Sequence, residues 1–225
     1  MTTSPIYSKI AVAGFKMQEQ IKNLAKALKQ FLNIEDEELY LLSNVLNLAA
    51  SKERVSFSEI ENLAGNKVEE LVLGAFQWKL LIPTNPLKPT LSWEDVCFLL
   101  MEDESYVMPN IIRALVKIAL RSGKWDTVNA IQDMFKEIND ENWKLMPEVI
   151  RKIVYDAKGG NITATQIKEI LKKFSLEEKT NYYILILKGC GIISPHIRAV
   201  RELIKIGGGT PMYEVNPSVY PLEKI

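Results

Sequence analysis

A general acid or base needs a titratable group held beside its reacting atom, and the first candidate in this chain is His196, its only histidine. It follows Pro195 at a turn, and no Ser-His-Asp or Cys-His set is spaced around it. A solvent-facing turn residue is the simpler expectation. Cys97 and Cys190 are too few and too isolated for a disulfide framework or a zinc site, and apolar neighbours make both expected small buried hydrophobes. Gly207, Gly208 and Gly209 lack the Lys-Ser/Thr of a phosphate-binding loop, and Thr210-Pro211 follows them instead of a helix. Glu37 and Glu38 fall at an expected helix start, where the helix dipole accounts for them. The chain is therefore expected not to be an enzyme and to carry no metal or cofactor.

With 225 residues, 47% of them hydrophobic, the chain is long enough for two modest domains. No apolar run approaches the roughly 20 residues of a membrane span. The opening Met1-Thr-Thr-Ser-Pro5 lacks the basic region and apolar core of a signal peptide, so a cytoplasmic location away from membranes is expected. Formal net charge is zero but unevenly spread: +4 over residues 1–34, −9 over 35–143 and +5 over 144–225. A polyanion would meet the ends first, unless the blocks face one another within one molecule or a dimer.

One pattern of elements occurs twice. In the first copy, Leu41 to Ala50 reads as a helix and Val55 to Phe57 as a β-prone stretch. Ser58 with Glu61 has capping-box spacing, Asn66 with Glu69 repeats it, and Leu80, Leu81 and Ile82 run into Pro83. In the second, Met146 to Ala157 is a helix stopped by Gly159 and Gly160, and Ile162 opens the stretch. Thr165 stands to cap the next helix, Ser175 with Glu178 the third, and Ile192 and Ile193 lead to Pro195. The offset between copies grows from 107 residues at Val55 and Ile162 to 111 at Leu81 and Ile192, so about four extra residues are expected in a turn of the second copy.

This order resembles the winged helix-turn-helix superfamily, and the resemblance covers about two thirds of the chain. Pro211-Met-Tyr-Glu-Val-Asn-Pro217 is similar to a last wing strand, preceded by the glycine tip at 207–209. The implied fold is mainly α with small β-wings: tandem winged units joined by a helical connector and preceded by a long amphipathic helix. The expected divisions are an N-terminal helix over 1–34, a first unit over 35–92, a connector over 93–140 and a second unit over 141–225. A plain helical repeat is the alternative.

The third helix of each unit would be its recognition helix. In the first, a 3.6-residue period puts Val68, Leu71, Val72 and Ala75 inward and Glu69, Glu70, Leu73 and Gln77 outward, and the carboxylates would repel phosphates. In the second, Glu178, Lys179, Asn181, Tyr182 and Leu185 turn outward. Asn181 suits an adenine edge, Lys179 a phosphate or guanine, and Arg198, Arg201 and Lys205 form a phosphate-facing stripe. Tyr182, Leu185 and Ile186 suit a protein contact equally. Two functions follow: a DNA-binding transcription regulator gripping double-stranded DNA through Lys179, Asn181, Tyr182, Arg198, Arg201 and Lys205, or a tandem winged-helix adaptor holding a protein partner.

At the N-terminus, Ile10, Met17, Leu24 and Phe31 recur every seven residues, with Ile21 and Leu28 between them and the lysines off the seam. That helix is expected to pair with a second copy as a homodimer or to dock on the chain's own core. In the connector, Ser92 with Asp95 opens one expected helix, Pro109 a second that Gly123 ends, and Trp125 through Ile138 a third. Trp125, Phe135 and Trp143 are expected to pack there.

Overall fold

The computed structural model describes residues 5–84, 93, 104–158, 160–196 and 210–222, with side chains from 15 onward. The first unit starts with α2 (Asp36–Ser51), whose first turn carries Asp36, Glu37 and Glu38 where the macrodipole favours negative charge. Leu39, Leu42, Val45, Leu46 and Ala49 form its buried face. β1 (Val55–Ser56), α3 (Phe57–Ala64), α4 (Val68–Gln77), β2 (Ile82–Thr84) and β3 (Ser105–Val107) follow. The second unit repeats them as α7 (Met146–Ala157), β4 (Asn161–Thr163), α8 (Ala164–Lys173), α9 (Thr180–Gly189), β5 (Ile193–Pro195) and β6 (Met212–Val215). In each antiparallel sheet the last strand lies in the centre, giving the orders β1-β3-β2 and β4-β6-β5. Pro83 and Pro195 therefore fall on edge strands, where a missing N–H costs no central pairing.

Each strand runs straight into its helix, and that moves the caps. Ser56 ends β1 with extended backbone and also caps α3: its hydroxyl accepts from the Glu59 N–H at 3.2 Å, and the Glu59 carboxylate accepts from the Ser56 N–H at 3.0 Å. Thr163 and Gln166 form the same box on α8, at 3.2 and 2.9 Å. The caps expected at Ser58 and Thr165 thus lie two residues too late. Those expected at Asn66 and Ser175 do not form: a 3-10 turn precedes each third helix, and Ser175 takes a left-handed φ of 59°. The extra length of the second copy divides between a helix and a turn, since α8 has 10 residues against 8 in α3 and residues 174–176 then intervene.

The first unit extends past residue 92, because β3, expected inside a helical connector, completes its sheet. Beyond it, α5 (Asn110–Ser122) and α6 (Thr127–Glu137) form the connector, with Gly123 closing α5 at a φ of 66°. Trp125 and Phe135 are buried there and Trp143 packs against the same core. The expected helix at Ser92–Asp95, Gly159, Cys97 and the glycine tip at 207–209 lie outside the described residues.

The leading helix α1 (Pro5–Leu28) docks on the chain's own core. Leu24 and Phe31, assigned to a dimer seam, are buried against this chain, with Phe31 packed between the rings of Trp78 and Trp125 at 5.2 and 5.1 Å. The heptad spacing marks a buried face, and α5 and α2 cover it, so these two residues cannot meet a second copy. Met17 is exposed, and the side chain of Ile10 lies outside those described.

One continuous core joins both units. The segment after β6 fastens them: the Asn216 amide donates to Lys79 O at 3.4 Å and Gly191 O at 3.1 Å, and the Ser218 hydroxyl to Trp78 O at 2.5 Å. Trp125 Nε1–H donates to Ser218 O at 2.8 Å. Across the other junction, the Ile111 N–H donates to Cys190 O at 3.0 Å. The carbonyls of Trp78 and Lys79 after α4, and of Cys190 after α9, are thus satisfied from outside their own units.

Candidate functional site

The two third helices sit in the same place in their units but present different chemistry. On α4, Val68, Leu71, Val72 and Ala75 are buried, while Glu69, Glu70, Leu73 and Gln77 face solvent, as their spacing predicts. Lys67, just before it, pairs at 2.7 Å with Glu38 and not with a free phosphate-facing position.

On α9, Tyr183, Ile184 and Leu187 are buried and Asn181, Tyr182 and Leu185 are exposed. Tyr182 and Leu185 stand three residues apart on one face, 44% and 66% exposed. Ile186, assigned to that face, is instead half-buried against the core, because it falls on the helix flank beside Leu187. Lys179 donates a charge-assisted hydrogen bond to Glu141, which raises the lysine above its usual range and lowers the carboxylate. Its charge is offset in place. Arg198, Arg201 and Lys205 lie outside the described residues.

Two acidic groups, Asp140 and Glu141, lie beside Tyr182 on this face. Asp140 accepts from the Asn142 N–H at 2.7 Å and from the Tyr183 hydroxyl at 3.4 Å, and the Asn142 amide donates to the same hydroxyl at 3.0 Å. This lattice pins the start of α9 to the α6–α7 turn. Partial burial, and then the Asp140 charge, raise the Tyr182 phenol above its ordinary range. A hollow of about 330 Å³ between Asp140, Glu141, Lys179 and Tyr182 lies beside the ring, and Glu178, next to Lys179 in the chain, is exposed. The arrangement offers an apolar projection, Leu185 with the Tyr182 ring, inside an acidic rim. Such a surface favours apolar groups flanked by cations and works against polyphosphate.

Sequence reasoning missed Glu141 because it is 38 residues from Lys179 and carries no periodic signal of its own. Cys190 lies under the helix end, where burial pushes its thiol up to about 11 and keeps it protonated near neutral pH. His196 follows β5, its backbone N–H donating to Met212 O at 2.9 Å. Among the described residues no cluster of His, Cys, Asp and Glu could hold a metal ion, and no helix is long and apolar enough to cross a membrane.

These features define a mainly helical protein of two like units, each with a small antiparallel three-stranded sheet. The chain belongs to the protein family whose model matches residues 22–224, a match that names no activity. It begins where α1 enters the core and spans both units and the connector. No curated protein and no solved structure matches the chain.

Proposed function

We propose that both units are winged helix-turn-helix domains and that the chain works as a tandem winged-helix adaptor, without catalysis, holding a protein segment on the exposed face of α9. The domain reading is supported by the repeated element order and by the central place of the last strand in each sheet. The partner reading rests on one observation: the outward face of α9 carries Tyr182 and Leu185, and Lys179, the cation at the start of the helix, is paired to Glu141. The partner that fits is an amphipathic segment with an apolar side chain for Leu185 and Tyr182 and flanking Lys or Arg for the acidic rim.

Duplex DNA is the second reading. It is favoured by exposed Asn181 and by the stripe Arg198, Arg201 and Lys205 in the sequence. Fluorescence anisotropy with two labelled probes separates the two: a Leu/Lys amphipathic helical peptide and a random-sequence duplex, each across a salt series. Peptide binding that survives added salt, with little duplex binding, is the expected result. Duplex binding that falls steeply with salt and is lost on Arg201→Ala would replace the adaptor reading with a DNA-binding one.

A further inference from the structure

A second surface, separate from α9, has the build of a small-molecule site. Where α4 ends against the second sheet, a cleft of about 640 Å³ opens between the units, within the range that encloses small ligands. Lys79 forms part of its wall with a left-handed φ of 52° and a side chain only 11% exposed. Its ammonium lies 4.1 Å from the Phe76 ring centroid, 5.9 Å from that of Trp93 and 3.3 Å from the Glu214 carboxylate. Trp78 and Asn161 also line the cleft.

Both charges border the open space, and that decides the ligand's charge. A simple anion on Lys79 meets the Glu214 carboxylate beside it, and a simple cation on Glu214 meets the Lys79 ammonium. A zwitterion satisfies both, since its carboxylate reaches the ammonium while its own ammonium reaches Glu214. The rings of Phe76, Trp78 and Trp93 supply flat apolar surface for a planar side chain.

We infer that this cleft binds a zwitterionic α-amino acid with a planar aromatic side chain, held by Lys79 at its carboxylate and Glu214 at its ammonium. The site is independent of the α9 face, and loss of either leaves the other in place.

Isothermal titration of the full chain with L-phenylalanine, benzoate and phenethylamine tests it. L-phenylalanine is expected to bind with a Kd below about 1 mM, and each single-charge analogue at least about tenfold more weakly. Glu214→Gln is expected to weaken L-phenylalanine about tenfold while bringing benzoate closer to it. No heat from L-phenylalanine up to about 10 mM, or benzoate or phenethylamine binding as tightly, would overturn the proposal on the unaltered protein alone. Unchanged affinity in folded Glu214→Gln would overturn the assigned contact.

Discussion

The two units share an element order, a sheet order and a capping box, yet they differ at the ends of their third helices. Two residues after α4 and α9 end, the chain turns with positive φ in both, through Lys79 at 52° and Gly191 at 75°. At Gly191 a Cβ would stand 2.6 Å from Pro109 Cβ, so only glycine fits, whereas the Lys79 side chain has the inter-unit cleft to enter. The outward faces differ too: Glu69, Glu70 and Leu73 on α4 stand where Asn181, Tyr182 and Leu185 stand on α9. One backbone pattern thus supports an acidic face in one unit and an apolar face with an acidic rim in the other. Surface function here lives in side chains that the shared core does not constrain.

The largest way to break this likeness is Gly191→Ala, which combines a strained φ with the Pro109 clash. It is expected to lower stability by about 3 kcal/mol, read from the denaturant midpoint. Asn216→Ala should come next. It removes the bonds to Lys79 O and Gly191 O that join the third-helix ends, and about 2 kcal/mol is expected by the same measurement.

The caps sharpen the comparison. Ser56→Ala and Thr163→Ala are each expected to cost about 1 kcal/mol, adding in the double variant because the boxes share no partner. Acid should then separate the two boxes. Lys52 first, and then the Ser56 N–H, hold Glu59 at about 2 against an ordinary 4.5, so its stabilisation is present above 4.5 and is lost as pH falls toward 2. Gln166 fills the same place in the second box and does not titrate. A small decline in melting temperature over that window is expected to flatten in Glu59→Gln.

Local punctuation made some of this legible in the sequence. Pro109 and Gly123 bracket α5, the buried positions of α4 follow its 3.6-residue period, and the spacing of Val55 to Ile60 against Ile162 to Ile167 gave the repeat. Pairings across distance were not legible. β3 is three residues long beside Glu104, and its partners lie in β1 and β2, so its own residues hold little sign of a central strand. Ser58 and Thr165 have the hydroxyls of caps, but the caps form two residues earlier, at Ser56 and Thr163, because each strand passes directly into its helix. The seam in α1 is visible, but periodicity says which face is buried and not against what, so a second copy and the chain's own core both fit Leu24 and Phe31 until the fold is seen. The pairs Lys179–Glu141 and Lys79–Glu214, which set the charge of both candidate sites, needed the fold itself.

The difference between the third helices is tested most directly by substituting the same position in both. Leu73 and Leu185 are 42% and 66% exposed, so Leu73→Asp and Leu185→Asp are each expected to change stability by less than about 0.5 kcal/mol. Affinity for the labelled Leu/Lys peptide, measured by anisotropy for the unaltered chain and both variants, is expected to collapse in Leu185→Asp alone. The added negative charge would strengthen a purely electrostatic contact, so such a loss would mark apolar docking on α9. Peptide affinity that is unchanged or raised by Leu185→Asp, or lost equally in Leu73→Asp, would contradict the assignment of that face.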